Sequence, residues 1–238
     1  MICFLTSSPV TPGTMALNPA HGFIDELRRA FPARCRGLFV CADPDCPEKT
    51  DRIAREMRII MGNSGFQLAQ YGVLDGRNAG EAAALVDGAD FIILSGGHVP
   101  TQNRFFEKIG LRTLLRGFDG VVMGISAGTM NAADVVYAQP EEPGEAVDPA
   151  YRRFLRGLNL TKTMILPHYQ MIKNDTLDGL RLFADIACPD SVGRRFYALV
   201  DGSYLFVDGR KEELRGEAYL IENGKMRPFT GENESARL

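Results

Sequence analysis

The sequence predicts an α/β fold in which helices flank a mostly parallel sheet, and two observations predict it. Short apolar runs, such as ICFLTS near the start of the chain, alternate with longer amphipathic stretches such as EKTDRIAREMRIIMGNSG. This alternation of strand and helix periods is typical of βαβ units on a parallel sheet. After residue 200, turn-forming dipeptides stand between apolar runs, which predicts antiparallel hairpins at the C-terminal end.

Each predicted strand or helix corresponds to a segment whose apolar residues repeat with the period of that structure. The predicted strands are ICFLTS, GLFVCA, FQLAQYGVL, DFIILSGG and GVVMGISAG. The predicted helices are GFIDELRRAF, EKTDRIAREMRIIMGNSG, AGEAAALVDGA, NRFFEKIGLRTLLRGF, AGTMNAADVVYA and LDGLRLFADIAC. The predicted hairpin turns are Asp201-Gly202, Asp208-Gly209 and Asn223-Gly224. Because no linker-like segment separates these elements, we expect residues 1–238 to form one domain.

Composition limits the class of protein. The chain has 238 residues, 45% of them hydrophobic and 24% charged, and a formal net charge of -3. Its basic residues are dispersed, so we expect no nucleic-acid partner. It has neither a signal-peptide pattern nor an apolar run of roughly 18 residues, which favours a cytoplasmic protein without membrane contact. Five cysteines and three histidines lack metal-site spacing, so we expect reduced thiols and no metal.

One motif indicates a catalytic residue. Gly124-Ile125-Ser126-Ala127-Gly128 fits G-x-S-x-G, with an apolar strand before it and a predicted helix after it. In that context a serine occupies a sharp strand-to-helix turn, where bulky neighbours two residues away would clash. The motif predicts Ser126 as a nucleophile and the Ala127 N–H as an oxyanion donor. A glycine-rich turn with an incidental serine, or a phosphate cradle, fits the same letters.

A nucleophilic serine needs a base, which is most often histidine. His168 follows the apolar MIL and Pro167, so we expect it at a strand end on the same sheet edge as Ser126. His98 also follows a predicted strand, but the loop Gly96-Gly97-His98 is better suited to oxyanion binding. His21 precedes a helix and is interpreted as a cap or surface residue. His168 is therefore the predicted base.

The acid that orients the histidine has two candidates from spacing alone. Asp201 follows the apolar FYALV, and Asp134 lies on the helix predicted after the serine turn. Asp175, Asp178 and Asp185 fit a solvated helix face. The acidic stretch between Pro140 and Pro149 predicts an exposed loop, and a flap over the site is the alternative.

The segments LSGGHVPTQNRFF, GVVMGISAGTMN, ILPHYQ and YALVDGSYL, in this order, resemble the dipeptidase E and cyanophycinase family of serine peptidases, family S51. The resemblance implies a class I glutamine amidotransferase-like, flavodoxin-like three-layer fold. It also implies Ser126 as nucleophile, His168 as base and Asp201 as acid, and backbone oxyanion contacts from Gly97 and Ala127. The family's Gly-Gly-Asn is Gly-Gly-His98 here.

The resemblance implies hydrolysis of dipeptides or short peptides next to the N-terminal residue, without a cofactor. The family's Thr-Arg pair is Thr176-Leu177 here, with Arg181 the arginine nearby, which weakens the expectation of an N-terminal aspartate. Alternatives are cyanophycinase-like isopeptide hydrolysis and a non-catalytic ligand-binding protein. A small peptide is the expected partner, and a homodimer is compatible with the sequence.

Overall fold

The computed structural model describes residues 1–238, and its regular structure is divided almost equally between strands and helices. The strands, in chain order, are β1 (Ile2–Thr6), β2 (Cys35–Val40), β3 (Leu68–Leu74), β4 (Phe91–Leu94), β5 (Val121–Ile125), β6 (Val135–Tyr137), β7 (Phe154–Arg156), β8 (Met164–Leu166), β9 (Thr176–Leu177), β10 (Leu180–Arg181), β11 (Arg195–Leu199), β12 (Tyr204–Asp208), β13 (Lys211–Arg215), β14 (Ala218–Glu222), β15 (Lys225–Thr230) and β16 (Ser235–Arg237).

The helices lie mainly in the first half of the chain. They are α1 (Phe23–Ala30), α2 (Pro47–Asn63), α3 (Ala82–Asp87), α4 (Val99–Lys108), α5 (Leu111–Leu114), α6 (Ala127–Ala132), α7 (Tyr169–Ile172) and α8 (Cys188–Asp190). A π-helix covers Leu182–Ala187, and 3-10 turns cover Ala20–Gly22, Gly76–Glu81 and Leu115–Gly117. Three of the four helices predicted between the first five strands are present with ends that differ by a few residues, and the fourth is divided into α4 and α5 because Gly110 adopts a left-handed conformation.

The main sheet has eight strands in the order β16-β13-β12-β1-β5-β4-β2-β3. Its five strands from β1 to β3 in this order are parallel to one another, and β12, β13 and β16 continue it in antiparallel fashion. The predicted fold class is thereby confirmed. Because parallel strands end on one edge, the residues that follow β1, β4 and β5 meet there.

Side chains on the parallel strands alternate between two cores, as the period of a strand requires. Cys3, Leu5 and other strand residues pack on one face with residues of α3 to α5. Phe4, Phe39 and their equivalents pack on the other face with residues of α1 and α2. Both faces of this sheet are therefore covered by helices.

A second sheet has four strands in the order β15-β14-β11-β8. Strand β8 lies parallel to β11, and β14 and β15 are antiparallel to their neighbours. The expectation that His168 shares a sheet edge with Ser126 is therefore wrong, since β8 and β5 belong to different sheets. A third core between the two sheets includes Met130, Leu166 and Phe196.

Two of the three predicted hairpin turns are confirmed. Asp208-Gly209 joins β12 to β13, and Asn223-Gly224 joins β14 to β15. Asp201-Gly202 does not join a hairpin, because β11 and β12 pair within different sheets. The chain crosses at this turn from the second sheet to the main one.

Two further predicted helices, both after residue 126, are interrupted. The helix after Ser126 ends at Ala132 and is followed by β6, so Asp134 is not helical. The predicted helix from Leu177 contains a small hairpin between β9 and β10, because Asp178 and Gly179 both adopt positive φ angles of 51° and 80°. An Asp-Gly pair with two positive φ values is the preferred two-residue hairpin turn.

No helix in the chain combines the length and the apolar character that a membrane crossing requires. All five cysteines have free thiols, and four of them are buried: Cys3, Cys35, Cys41 and Cys188.

Candidate active site

Ser126 lies in a strained turn between β5 and α6. Its φ of 50° and ψ of -111° fall outside the regions that residues with side chains prefer. The turn is tied to the end of β1, because the Ser126 N–H donates to the carbonyl oxygens of Thr6 and Ser7, both at 3.2 Å. The structure thus gives Ser126 the backbone geometry that the motif predicts for an exposed nucleophile.

The glycines on either side of Ser126 allow the close approach of backbones around this turn. A Cβ atom added at Gly124 would lie 2.9 Å from Thr129 Cα, and one added at Gly128 would lie 2.3 Å from the Leu94 carbonyl oxygen. The first contact is with α6 and the second is with the end of β4. Any side chain at these positions would push the helix away from the sheet.

We expect Gly128→Ala to lower the free energy of unfolding by about 3 kcal/mol, because the new methyl group meets backbone atoms that cannot rotate away. Gly62→Ala is the matched control: a Cβ atom at this position in α2 meets nothing within 4 Å. Urea denaturation of both variants measures the difference. An unfolding midpoint for Gly128→Ala equal to that of the wild type would contradict this account of the turn.

His168 and Asp201 form a hydrogen-bonded pair. His168 follows β8 in a left-handed conformation, with φ of 60° and ψ of 28°, and its Nδ1 lies 2.8 Å from Asp201 Oδ1. The Asp201 carboxylate can only accept, so Nδ1 carries the proton in the neutral ring. The side chains are 30% and 15% exposed, respectively. The pair has the geometry of a base and its orienting acid.

Ser7, just after β1, joins the three predicted residues and was missed by the sequence reasoning. Its hydroxyl donates to Asp201 Oδ1 at 2.7 Å and accepts from the His168 N–H at 2.7 Å. Its carbonyl oxygen accepts from the Ser126 N–H at 3.2 Å. The signal that could have found Ser7 is its position, a polar residue directly after a buried strand that ends at the same edge.

Gln170 holds Asp201 from the solvent side. Its Nε2 donates to Asp201 Oδ2 at 2.7 Å, and its Oε1 accepts from the Asp201 N–H at 3.0 Å. Burial alone would raise the pKa of Asp201, but hydrogen bonds from His168, Ser7 and Gln170 outweigh burial and lower that pKa below its usual range. Asp201 is therefore ionised at neutral pH, as the orientation of a histidine requires.

Ser126 and His168 line the same cavity, whose volume is about 290 Å³. Its walls come from α6, from residues 139–141, from the segment around α7 and from β9. A larger depression of about 810 Å³ lies at the opposite edge, where Asp90 and Gly120 precede their strands, and it contains neither a serine nor a histidine. The chemistry therefore belongs to the smaller cavity.

Of the predicted oxyanion groups, Ala127 follows Ser126 directly, whereas Gly96 and Gly97 line a separate cavity and not that of Ser126. A Cβ atom at Gly96 would lie 3.4 Å from Ser126 Cβ, so the loop after β4 packs directly on the turn. The Gly97 N–H makes no hydrogen bond within the chain. Ala127 is the first residue of α6, where an N–H has no partner inside the helix. Both amides are therefore available to an oxygen atom of a ligand.

His98 does not line the cavity of Ser126. Its Nδ1 lies 2.9 Å from Thr101 Oγ1 and its Nε2 lies 2.8 Å from Glu145 Oε1. Atoms of His98, Glu142 and Glu145 lie within 4.8 Å of one another, the spacing of a metal site. However, Glu145 Oε2 also accepts the N–H groups of Glu141 and Glu142, so these contacts anchor the loop.

The acidic loop between Pro140 and Pro149, predicted to be exposed, makes specific contacts with the rest of the chain. Asp178 accepts hydrogen bonds from the N–H groups of Gly144 and Ala146, which fasten the loop to the β9–β10 hairpin. Pro140 is buried, and both Pro140 and Glu141 form part of the cavity wall. The loop is thus a wall of the site and not only a solvated connection.

The remaining candidates lie elsewhere. Asp134 pairs with Lys162 at 2.6 Å and with Arg112 at 2.7 Å, and both hydrogen bonds lower its pKa. Arg181 pairs with Asp185 at 2.6 Å. His21 lies in a 3-10 turn and makes no side-chain capping hydrogen bond. The structure therefore brings Asp201, and not Asp134, to His168.

The chain is similar to known peptidases, by a family model and in fold. The sequence model of peptidase family S51 matches residues 63–215. A peptidase from an acI-B1 actinobacterium has a similar structure, with a TM-score of 0.65, 16% identity and coverage of 100% of this chain and 96% of that one. A putative peptidase E protein from Listeria monocytogenes EGD-e has a TM-score of 0.58, 17% identity and coverage of 96% and 98%. A search of curated proteins gives no match.

Proposed function

This chain belongs to peptidase family S51 and is a serine peptidase, a hydrolase of peptide bonds; from that membership we propose that it hydrolyses dipeptides or short peptides next to the N-terminal residue, using Ser126, His168 and Asp201. The observation that carries the proposal is the His168–Asp201 pair beside a strained Ser126 in one cavity. The similar structures cover nearly the whole chain, which supports its action as one domain.

In the proposed mechanism, His168 Nε2 takes the proton of the Ser126 hydroxyl while Oγ attacks the scissile carbonyl carbon. Asp201 holds the ring by its Nδ1 and stabilises the imidazolium that forms. The C–N bond then breaks, and the imidazolium gives its proton to the leaving amine. A water molecule, activated by His168 in the same way, hydrolyses the acyl-enzyme and returns Ser126 to its starting state.

The negative oxygen of each tetrahedral intermediate would accept hydrogen bonds from the N–H groups of Ala127 and Gly97. Donors that are fixed before the reaction stabilise developing charge without reorganisation. The strained turn at Ser126 supports this role, since it holds the hydroxyl beside the first turn of α6.

The size of the cavity supports a short substrate. Its volume of about 290 Å³ lies at the lower end of the range for small-molecule sites. The loop wall at Pro140 and Glu141 bounds it on one side. A peptide of a few residues suits this space better than a folded protein does.

The test is to incubate the wild type and Ser126→Ala with a library of dipeptides, tripeptides, Nα-acetylated peptides and β-aspartyl-arginine, and to follow released amino acids by mass spectrometry. We expect the wild type alone to release the N-terminal residue from unblocked peptides. Release from β-aspartyl-arginine alone would favour the isopeptide alternative. Equal release by both proteins would reject Ser126 as nucleophile.

Ser7→Ala tests the residue that joins the site. We expect about a tenfold lower kcat and a loss of about 2 kcal/mol in unfolding free energy, because the partly buried Asp201 loses a donor and the His168 N–H loses its acceptor. Ser8→Ala is the matched control, since the neighbouring Ser8 side chain makes no hydrogen bond. Equal kcat values for the two variants would show that the Ser7 hydroxyl does not position the pair.

A further inference from the structure

The cavity that contains Ser126 and His168 has an acidic wall. Of its twelve lining residues, Glu141 and Asp175 are acidic, and neither lysine nor arginine is among them. We propose, on the basis of the function proposed above, that Glu141 and Asp175 select a substrate with a positively charged group on its N-terminal residue. The side chain of lysine or arginine fits best, and aspartate is disfavoured.

The two carboxylates have no partner within the chain. Neither Glu141 nor Asp175 takes part in an ion pair, and neither side chain accepts a hydrogen bond. Three other acidic residues of this region are occupied: Asp178 binds two loop amides, Asp185 binds Arg181, and Glu145 binds His98. Glu142 is also unpartnered, but it lines a different cavity. Glu141 and Asp175 are thus the unpartnered carboxylates that face the ligand space, which is the arrangement expected when the counter-ion comes from the substrate.

The remainder of the cavity suits the methylene chain of a long cationic residue. Met130, Ile172, Leu177 and Leu182 contribute apolar surface to it. Lysine and arginine bury their aliphatic stems against such surface while the charged end reaches polar groups. A short acidic side chain would instead place a third carboxylate beside Glu141 and Asp175.

The electrostatic environment of Glu141 also favours a cationic ligand. Glu141 is an exposed residue at the cavity wall, and partial desolvation of its carboxyl group by the nearby loop, together with the charges of Glu145 and Glu142, raises its pKa to about 8. A cation bound next to Glu141 would favour the ionised carboxylate and lower that pKa. A substrate anion would raise it further.

The arginine nearest to this segment does not provide a site for an anion. Arg181 donates to both carboxylate oxygens of Asp185, and its side chain is 68% exposed. It is absent from the cavity wall. Selection of an N-terminal aspartate by an arginine in this hairpin therefore has no basis in the observed contacts.

The test compares kcat/KM for four dipeptides, Lys-Leu, norleucyl-Leu, Asp-Leu and Nα-acetyl-Lys-Leu. We expect Lys-Leu to exceed norleucyl-Leu by about fivefold, the upper end of the gain for an exposed charge pair, and Asp-Leu to be the poorest unblocked peptide. If Lys-Leu and norleucyl-Leu have equal kcat/KM values and acetylation abolishes cleavage, the carboxylates bind the α-ammonium group of the substrate and not a charged side chain. A preference for Asp-Leu would overturn the inference.

Variants assign the effect to the two residues. Glu141→Gln and Asp175→Asn should each reduce the Lys-Leu to norleucyl-Leu ratio severalfold. Glu142→Gln is the matched control, because it removes the same charge from the next residue, whose side chain does not line this cavity. An unchanged ratio in both variants would overturn the inference. If the wild type cleaves none of the peptides, the proposed function fails instead.

Discussion

Replacing Ser126 with alanine is expected to reduce kcat/KM about 10³-fold or more, the loss seen when a serine nucleophile is removed. The variant should fold normally, because the Ser126 hydroxyl makes no hydrogen bond to the rest of the chain and the N–H that ties the turn to β1 is retained. Alanine still has to adopt the positive φ of this turn. Stopped assays with purified wild type and variant on the best peptide of the library measure the change.

A second serine provides the control for this experiment. Ser95 lies after β4, near the same edge, and its hydroxyl donates to the carbonyl oxygen of Gly96. Ser95→Ala should keep kcat within a fewfold of the wild type. If Ser126→Ala retains wild-type turnover, the nucleophile lies elsewhere and the proposed mechanism is wrong.

Asp201→Asn is expected to reduce kcat by ~10²- to 10⁴-fold, an effect equal to or smaller than that of Ser126→Ala. Asparagine can present an N–H where the carboxylate accepted one, so the His168 ring loses its preferred tautomer and the imidazolium loses its counter-charge. The space is unchanged, so the fold should be retained. Pre-steady-state measurement of acyl-enzyme formation tests the step directly.

Asp134→Asn is the matched control, since Asp134 is the acid that spacing alone cannot separate from Asp201. It removes the same charge from a residue that pairs with Arg112 and Lys162 outside the cavity. We expect unchanged kcat and a modest loss of stability. Equal losses of kcat in the two variants would mean that net charge, and not the orientation of His168, is responsible.

Local pattern was sufficient for much of the fold. The parallel half of the main sheet and its helices follow from segments whose period changes between strand and helix. The serine turn is equally local, because five consecutive residues specify both its strain and the absence of side chains around it. Turn chemistry was less reliable: Asp-Gly at 178–179 forms a hairpin within a predicted helix, whereas Asp-Gly at 201–202 connects two sheets. An Asp-Gly dipeptide favours a turn, but the pairing of the flanking strands determines whether that turn closes a hairpin or connects two sheets.

The sequence by itself determined the parallel fold class and the identity of Ser126 as the residue at the strained turn, because both depend on neighbours along the chain. Spacing left Asp201 and Asp134 open and the family resemblance implied Asp201, whereas the tertiary structure shows the contact of Asp201 with His168. Only the tertiary structure revealed Ser7 and Gln170 and made the acidic loop a wall of the site. These outcomes depend on contacts between residues up to 194 positions apart, such as Ser7 and Asp201. Such contacts depend on how the two sheets pack, and the apolar periodicity of a single segment gives no information about them.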